Sequence, residues 1–200
     1  MRRGDAIREA LIDNTIHLIA QGGFESATTR NITKYPSPYQ VGKLNDAHIY
    51  RVFGSKEGLY AEVYATLDAE LTFAVCNRLA SIDTATMSAK EIMTYLWEGI
   101  WPFMLHNEDR CRCYVRYYYS IYFREGSQRK HRETFERVAN TLRPMFKEEA
   151  DVTAILHSIF SAIMDFAIRV YNHDLKDTPE NAAHIFNVLY CMMSSYLKQP

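Results

Sequence analysis

The sequence predicts an all-α chain of about nine helices, and three observations support this prediction. Proline and glycine, which interrupt helices, are scarce, at six and eight of 200 residues. No segment stands out that alternates apolar and polar residues as a half-buried strand does. Apolar residues make up 48% of the chain, which is enough for a substantial core, and in several segments they recur at helical spacing.

Four helices are predicted in the first eighty residues. They span residues 5–21, 29–34, 46–52 and 56–79. Side chains suited to capping free helix amides precede the last three, namely Thr28 or Thr29, Asn45 and Ser55. Gly22 and Gly23 end the first helix, and Pro36 and Pro38 prevent the second from continuing.

Five further helices are predicted after residue 80, and they form a separate helical body. They span residues 89–106, 109–124, 127–147, 151–172 and 179–197. Ser88 with Glu91 forms a capping box before the first, and Thr178 caps the last, with Pro179 at its first position. We therefore expect two domains, residues 1–58 and residues 59–200.

Charge and cysteine content limit the class of protein. The net charge of −1 excludes a polycation that coats nucleic acid, so any DNA contact must come from a local patch. The first sixty residues are only weakly basic, with eight Lys or Arg against six Asp or Glu. The N-terminus has charges too close together for a secretory signal, and no stretch of eighteen uncharged apolar residues predicts a membrane span. The four cysteines form no disulfide framework, so a cytoplasmic setting is expected.

The short third helix, ending directly before a fourth, is a candidate recognition helix. The major groove of DNA admits one helix, whose outer face must carry hydrogen-bonding groups while its inner face is held by apolar anchors. Ile49 and Phe53, four residues apart, would face inward. The residues expected outward or at the edge are Asp46, Ala47, His48, Tyr50 and Arg51. The alternative is a capped connector between two helices, and the residues alone leave both open.

At these residues the chain resembles the tetracycline-repressor (TetR) family of bacterial transcription factors. The resemblance lies in Gly23-Phe24, in Thr28 to Ile32 (TTRNI) and in His48 to Leu59 (HIYRVFGSKEGL). It covers about sixty of the 200 residues. It implies a helix-turn-helix head on a helical ligand-binding and dimerisation body, and a homodimer that binds a near-palindromic operator. The DNA contacts that it implies are Arg30, Lys43, Asn45, His48, Tyr50, Arg51 and Lys56.

One departure from the family lies between the second and third helices. The segment from Arg30 to Phe53 is longer than the family's by about six residues, although a helix-turn-helix normally has a short turn. Residues 34–43, here called the inserted turn, occupy what should be the end of helix two and a tight connection. Either this turn bulges outward and supplies contacts of its own through Lys34, Tyr35 and Lys43, or the DNA reader is altered. Leu44 is expected to replace the family's turn valine in the core.

A second notable run is RCRCYVRYYYSIYFRE, residues 110–125. On the predicted helix over residues 109–124, one face carries Cys111, Tyr114, Tyr117, Tyr118, Ile121 and Tyr122. Aromatic walls with a few hydroxyls suit a small-molecule cavity, and they equally suit an aromatic core. Because the TetR resemblance implies a ligand cavity in this domain, we predict a site for a largely apolar or aromatic effector. Its predicted residues are Trp97, Trp101, Met104, Tyr114, Tyr117, Tyr118, Tyr122, Phe160 and Met164.

No metal, cofactor or catalytic group is predicted. Cys111 and Cys113 lie two apart, so on a helix their thiols point about 200° apart and cannot chelate one ion. No two histidines stand four apart. The sequence has no nucleophile elbow, phosphate-binding glycine loop or convincing carboxylate pair, so an enzyme is not expected.

The last two helices are apolar on more than one face, which favours pairing with a second copy as a four-helix bundle. The predicted interface residues are Ile159, Ile163, Val188, Met192 and Tyr196. The alternative is that both faces lie inside one subunit. The resulting hypothesis is a repressor released from DNA by a small molecule. Its rivals are a ligand-binding or protein-binding module with a degenerate DNA head and, less favoured, a small-molecule enzyme.

Overall fold

The computed structural model describes residues 2–39, 41–83 and 86–198. Within these ranges the chain is helical and contains no strand, which confirms the predicted all-α fold. The helices are α1 (Arg3–Gly22), α2 (Thr29–Lys34), α3 (Asp46–Phe53), α4 (Lys56–Leu79), α5 (Ala89–His106), α6 (Glu108–Tyr118), α7 (Glu125–Leu142), α8 (Val152–Tyr171) and α9 (Pro179–Ser194), with a 3-10 turn at Arg143–Met145.

The chain forms two compact units. Unit 1 comprises Met1–Ala69 and Asp109–Gln128, and unit 2 comprises Glu70–Glu108 and Arg129–Pro200. Helix α4 contributes residues to both, and almost all of α6 belongs to unit 1 with the N-terminal helices. The boundaries of these compact units do not coincide with residue 58. The predicted division into functional domains, residues 1–58 and 59–200, stays a prediction.

In unit 1 the first three helices enclose an apolar core. Ile12 and Ile16 of α1, Ile32 of α2 and Ile49 of α3 are fully or almost fully buried. Burying each of these side chains contributes about 1.5–3 kcal/mol to the stability of the fold. Helix α2 is only six residues long, so its cap matters: the Thr28 hydroxyl accepts a hydrogen bond from the Asn31 amide at 3.1 Å.

The prediction that the sixth helix reaches residue 124 is wrong, because α6 ends at Tyr118. A hydrogen-bonded turn replaces its last residues: the Ser120 hydroxyl donates to the Tyr117 carbonyl (2.7 Å) and accepts from the Tyr122 amide (3.1 Å). Such local side-chain bonds compete with the helix. Ile121 is 79% exposed, so it does not extend a helical face shared with Tyr114.

Helices α7 and α9 also end earlier than predicted, at Leu142 rather than residue 147 and at Ser194 rather than residue 197. After α7 the chain tightens into the 3-10 turn, which contains Pro144, a residue with no amide hydrogen to donate. The segments beyond the two helices pair instead: the Lys147 amide donates to the Tyr196 carbonyl at 2.8 Å, and the Lys198 amide to the Met145 carbonyl at 2.9 Å.

Helix α8 has no uncharged stretch of eighteen residues, because it contains Asp165 and Arg169. It is long and apolar enough to cross a membrane by length and composition alone, with 20 residues and a mean hydropathy of 1.4. The core helix of a soluble protein passes the same test. Within unit 2, α8 packs against α5 and α9 and buries Ile159, Ile163, Met164 and Ala167.

Candidate nucleic-acid interface

Helix α3 has one face held in the core and one face exposed. Ile49 is 0% exposed, and Val52 and Phe53 are half-buried. Tyr50 is 56% exposed, and Ala47 and Arg51 are exposed as well. An eight-residue helix with buried anchors and an outward phenol and guanidinium has the form that a groove-reading helix needs.

The start of α3 is fixed by His48, which was predicted only as a DNA contact. Its ring Nδ1 accepts a hydrogen bond from the Asn45 amide at 3.1 Å, so the imidazole satisfies a backbone donor ahead of the first turn. With Nδ1 accepting, the neutral ring carries its proton on Nε2, which is left as a donor. His48 therefore has a structural task, and the short spacing from Asn45 was the signal for it.

At the junction between α3 and α4, the backbone at the start of α4 lies close to the backbone at the end of α3. Gly54 ends α3 with φ of 76°, a left-handed conformation that glycine adopts without strain. The Ser55 hydroxyl accepts a hydrogen bond from the Gly58 amide at 2.9 Å, which starts α4. A Cβ at Gly58 would lie 2.2 Å from the Phe53 carbonyl oxygen, so only glycine fits there without movement of the backbone.

The remaining predicted DNA contacts are placed as follows. Arg30, on α2, is exposed, and so are Lys43 and Asn45, which precede α3. Lys56 is half-buried, and its ammonium lies 5.4 Å from the centre of the Tyr60 ring, within the range of a cation–π contact. The structure therefore leaves these polar groups at the surface of unit 1, and their binding of DNA stays a prediction.

The inserted turn is held onto α1 by polar contacts that the sequence analysis missed. Asn14 is buried, and its side-chain amide donates to the carbonyls of Ile32 (2.9 Å) and Tyr35 (3.1 Å). The Tyr39 hydroxyl donates to the Asp13 carboxylate at 2.8 Å, and this hydrogen bond raises the pKa of Tyr39. The signal for these contacts was an asparagine within the apolar stripe of the first helix.

A second set of contacts ties α1 to the start of α6, within unit 1. Arg110 donates to the other oxygen of Asp13 at 3.2 Å, and His17 and Gln21 bond to the Asp109 carboxylate at 2.6 and 2.8 Å. The His17 ring also lies against the Tyr35 ring, with centroids 4.6 Å apart. The inserted turn and the start of α6 thus contact the same face of α1.

The residues predicted to bind a ligand fall into the two units. Tyr114, Tyr117, Tyr118 and Tyr122 belong to unit 1, where Tyr64 stacks on Tyr114 and Tyr117 at centroid distances of 5.2 and 4.6 Å. Trp97, Trp101, Met104, Phe160 and Met164 belong to unit 2. The ligand role of all nine residues stays a prediction.

The indole nitrogen of Trp101 is buried without a hydrogen-bond partner among the described residues. The Trp101 side chain is 5% exposed and stacks on Trp97 at a centroid distance of 4.9 Å. A buried donor of this kind costs about 1–3 kcal/mol unless something accepts its hydrogen.

The residues predicted at a dimer interface differ in how exposed they are in the single chain. Ile159 and Ile163 are buried within unit 2 of the single chain, and Val188 is half-buried. Met192 and Tyr196 on and just after α9 are 43% and 45% exposed. Met192 and Tyr196 are the most exposed of the five predicted interface residues, and the pairing of all five with a second copy stays a prediction.

Metal ligands and reactive thiols receive no support from the geometry. No group of three or more His, Cys, Asp or Glu side chains that could hold a metal ion occurs among the described residues. Cys111 and Cys113 are both buried, and burial raises the pKa of the Cys113 thiol, which disfavours the thiolate.

Comparison of the structure with solved structures gives matches over nearly the whole chain. A TetR family transcription regulator from Marinobacter aquaeolei VT8 matches with a TM-score of 0.77 at 15% sequence identity, covering 98% of each chain. A second, from Shewanella sp. PV-4 and also described as of the TetR family, matches with a TM-score of 0.73 at 13% identity, over 96% of this chain and 99% of that one.

A third structure, from Saccharomonospora viridis, was solved in complex with choline. It matches with a TM-score of 0.62 at 17% identity, over 96% of this chain and 98% of that one. No protein-family model and no curated protein matches the sequence. The arrangement of nine helices across the described residues, with a short exposed α3 before a long α4, is the fold of the TetR-family transcription regulators.

Proposed function

We propose that this protein is a transcription regulator that binds double-stranded DNA through α3. The observation that carries the proposal is the division of α3 into a buried anchor, Ile49, and an exposed face with Tyr50 and Arg51. The fold supports it, because two of the solved structures that match over nearly the whole chain are described as TetR-family transcription regulators. The proposed place of action is the cytoplasm.

We further propose that the protein acts as a homodimer. A dimer presents two recognition helices to successive major grooves, which matches the two-fold symmetry of a near-palindromic site. Met192 and Tyr196 are exposed apolar groups in unit 2 that a second copy would cover. Sedimentation of the intact protein tests this, and a strictly monomeric protein at micromolar concentration contradicts it.

Selection of bound sequences from a random duplex library, followed by fluorescence anisotropy on the selected duplex, tests DNA binding. Arg51→Ala should weaken binding by about 5- to 150-fold, the equivalent of 1–3 kcal/mol for a base-reading arginine. The matched control is Arg132→Ala, which removes an exposed arginine from α7 in unit 2. If no sequence is enriched and binding to random duplex lacks salt dependence, the protein is instead a binding module with a degenerate head.

We propose that a small effector binds in unit 2 beside Trp101 and regulates DNA binding. The support is the buried indole N–H of Trp101, which has no partner among the described residues and which an acceptor atom of a ligand would satisfy. Met104, Phe160 and Met164 belong to the same unit and would supply apolar contact. The effector is a largely apolar or aromatic molecule with one hydrogen-bond acceptor.

The two tryptophans of the chain form one stacked pair, so intrinsic fluorescence reports on this site directly. Choline and benzoate are suitable probes: choline is the ligand of one matching structure, and benzoate is an aromatic acceptor. We expect Trp101→Phe to weaken binding of the active probe about tenfold, as for one lost hydrogen bond, and Trp97→Phe to retain it. Equal losses in the two variants would argue against the indole N–H as the recognised donor.

The proposed mechanism is a shift between two conformers of the dimer. The effector prefers a conformer whose recognition helices are spaced wrongly for successive grooves, and repression ends when that conformer dominates. An effector can change operator affinity only by its own preference between the two conformers. Helix α4, which supplies residues to both units, is the element proposed to connect them.

A further inference from the structure

Residues of the inserted turn line a partly open cavity of about 310 Å³ directly ahead of the proposed recognition helix. Its lining includes Lys34, Tyr35, Ser37, Tyr39 and Lys43. This volume is at the lower end for small-molecule sites, so it suits one small polar group better than a drug-sized ligand.

The described residues that line the cavity carry a net positive charge. They include Lys34 and Lys43, and none of them is an Asp or Glu. Neither ammonium group makes an ion pair with another described residue, and both lysines are exposed. Two acids contact residues of the lining. Asp13 accepts from Tyr39 and is paired with Arg110, whereas Asp46 accepts hydrogen bonds from the Thr29 and Thr33 hydroxyls and keeps its negative charge. Two cations on one cavity attract an anion.

Four of the described residues that line the cavity are anchored by contacts to α1 or by burial in the core. Tyr39 is held by Asp13 at 2.8 Å, and the Tyr35 carbonyl accepts from Asn14 at 3.1 Å. Val41 and Leu44 are buried, so the return to α3 is anchored in the core. A preformed site binds with less loss of conformational entropy than a flexible loop does.

The position of the cavity matches the edge of a DNA groove. Lys43 precedes the first residue of α3, Asp46, by three residues, which places their Cα atoms at most about 11 Å apart. The major groove is about 12 Å wide and is bordered by phosphates. A helix whose first turn lies in the groove therefore brings Lys43 within reach of a phosphate at its edge.

We propose that this cavity binds a phosphate of the DNA backbone, as a contact that the inserted turn adds to those of α3. This inference rests on the proposed DNA-binding function. The contact positions the reading head and carries no sequence information, since a phosphate is the same beside every base pair.

The test is the salt dependence of binding by the full-length protein to a random-sequence duplex, followed by anisotropy. The double variant Lys34→Ala/Lys43→Ala should reduce the slope of log K against log [salt] by about 0.9 for the lost phosphate contact. Affinity for random duplex and for a selected sequence should fall by the same factor. The matched control is Lys90→Ala/Lys176→Ala, which removes two exposed lysines of unit 2 and should leave the slope unchanged.

Tyr39→Phe is a second variant that keeps the charge of the cavity and removes the hydrogen bond to Asp13. It should weaken DNA binding without changing the slope, because both lysines remain. A wild-type slope and affinity in the lysine double variant, with its thermal unfolding unchanged, would overturn the inference and leave the proposed function intact. Absence of salt-dependent binding in the wild type would overturn the proposed function itself.

Discussion

Units 1 and 2 each contain an aromatic cluster, but the two clusters differ in how they satisfy their polar atoms. In unit 1 the Tyr60 hydroxyl donates to the Ala27 carbonyl at 2.9 Å and the Tyr117 hydroxyl to the Tyr122 carbonyl at 3.0 Å. In unit 2 the Trp101 indole N–H is buried with no partner among the described residues. A satisfied cluster has the character of a structural core, whereas a buried donor without an acceptor favours a binding site.

The difference bears on how the effector site was predicted. The tyrosines of residues 114–122 and the tryptophans were predicted to share one site because both groups are aromatic and lie on predicted helices. Aromatic content alone does not distinguish a core from a cavity, since both need large apolar side chains. The state of the polar atoms differs between the two clusters and favours a packing role for the tyrosines, which mutation can measure, while their ligand role stays a prediction.

The largest expected effect is that of Tyr64→Ala in unit 1. Tyr64 is almost fully buried between Tyr114 and Tyr117, so its loss leaves a cavity in a closely packed stack. The free energy of unfolding, measured by urea titration, should fall by about 3–5 kcal/mol. Trp97→Ala, at a half-buried position of unit 2, should cost clearly less. Equal losses of unfolding free energy in the two variants would contradict the comparison, because both clusters would then contribute equally to the stability of the fold.

A pair of glycines sharpens the comparison at the level of the backbone. A Cβ at Gly58 in unit 1 would meet the Phe53 carbonyl oxygen at 2.2 Å, whereas a Cβ at Gly99 in unit 2 would meet the Arg78 side chain, first at its Cδ, 2.1 Å away. Backbone cannot move aside cheaply, but a long side chain can. Gly58→Ala should therefore destabilise the protein by about 1–3 kcal/mol.

Gly99→Ala is the matched control for that substitution. The gain in helix propensity, up to about 1 kcal/mol, offsets the movement of Arg78, which gives up its hydrogen bond to the Tyr95 carbonyl. We expect a change within about 1 kcal/mol in either direction, measured by the same urea titration. A loss as large as that of Gly58→Ala would mean that Arg78 is held as rigidly as the backbone of unit 1.

The sequence predicted well what depends on neighbours along the chain. Thr28 caps α2 and Ser88 caps α5 as expected, because a cap and the amide that it satisfies lie within three residues of each other. The buried position of Ile49 on α3 followed from helical spacing in the same way. The all-helical fold and its element order needed no information about distant contacts.

What the sequence did not predict depends on contacts far apart in the chain. Asn14 bonds to the Ile32 carbonyl on α2, 18 residues away, and to the Tyr35 carbonyl of the inserted turn, 21 residues away. Asp13 accepts from Arg110, 97 residues away. The early end of α6 was missed for a more local reason, since Ser120 can either continue a helix or cap a turn. The packing of Phe24 against Tyr60 and Tyr122 favours the turn here.

A smaller effect should come from Tyr60→Phe, which tests whether the polar contacts of unit 1 contribute to stability. The substitution keeps the ring and leaves the buried Ala27 carbonyl without its donor. We expect a loss of about 1 kcal/mol in the free energy of unfolding. Tyr50→Phe removes an exposed hydroxyl and should change stability by less than about 0.5 kcal/mol. An equal effect of the two substitutions would show that the buried hydrogen bond adds nothing.

The smallest expected effect is a dependence of stability on pH through His157 in unit 2. Burial lowers the pKa of His157, with a further contribution from His131, whose ring centre is 5.4 Å away. The folded state therefore binds fewer protons than the unfolded state, so this contribution to stability is complete above the unfolded pKa of about 6.5 and is lost as pH falls toward the lowered folded value.

His157→Gln should accordingly flatten the rise in unfolding free energy between about pH 5 and pH 7. The variant also loses the stacking of the imidazole on Phe135, at a centroid distance of 4.0 Å, and is therefore expected to be less stable throughout. The slope with pH, rather than the stability at one pH, is the informative quantity, and His184→Gln at an exposed position of α9 is the control. An unchanged slope would show that unit 2 accommodates the protonated His157 ring at little cost.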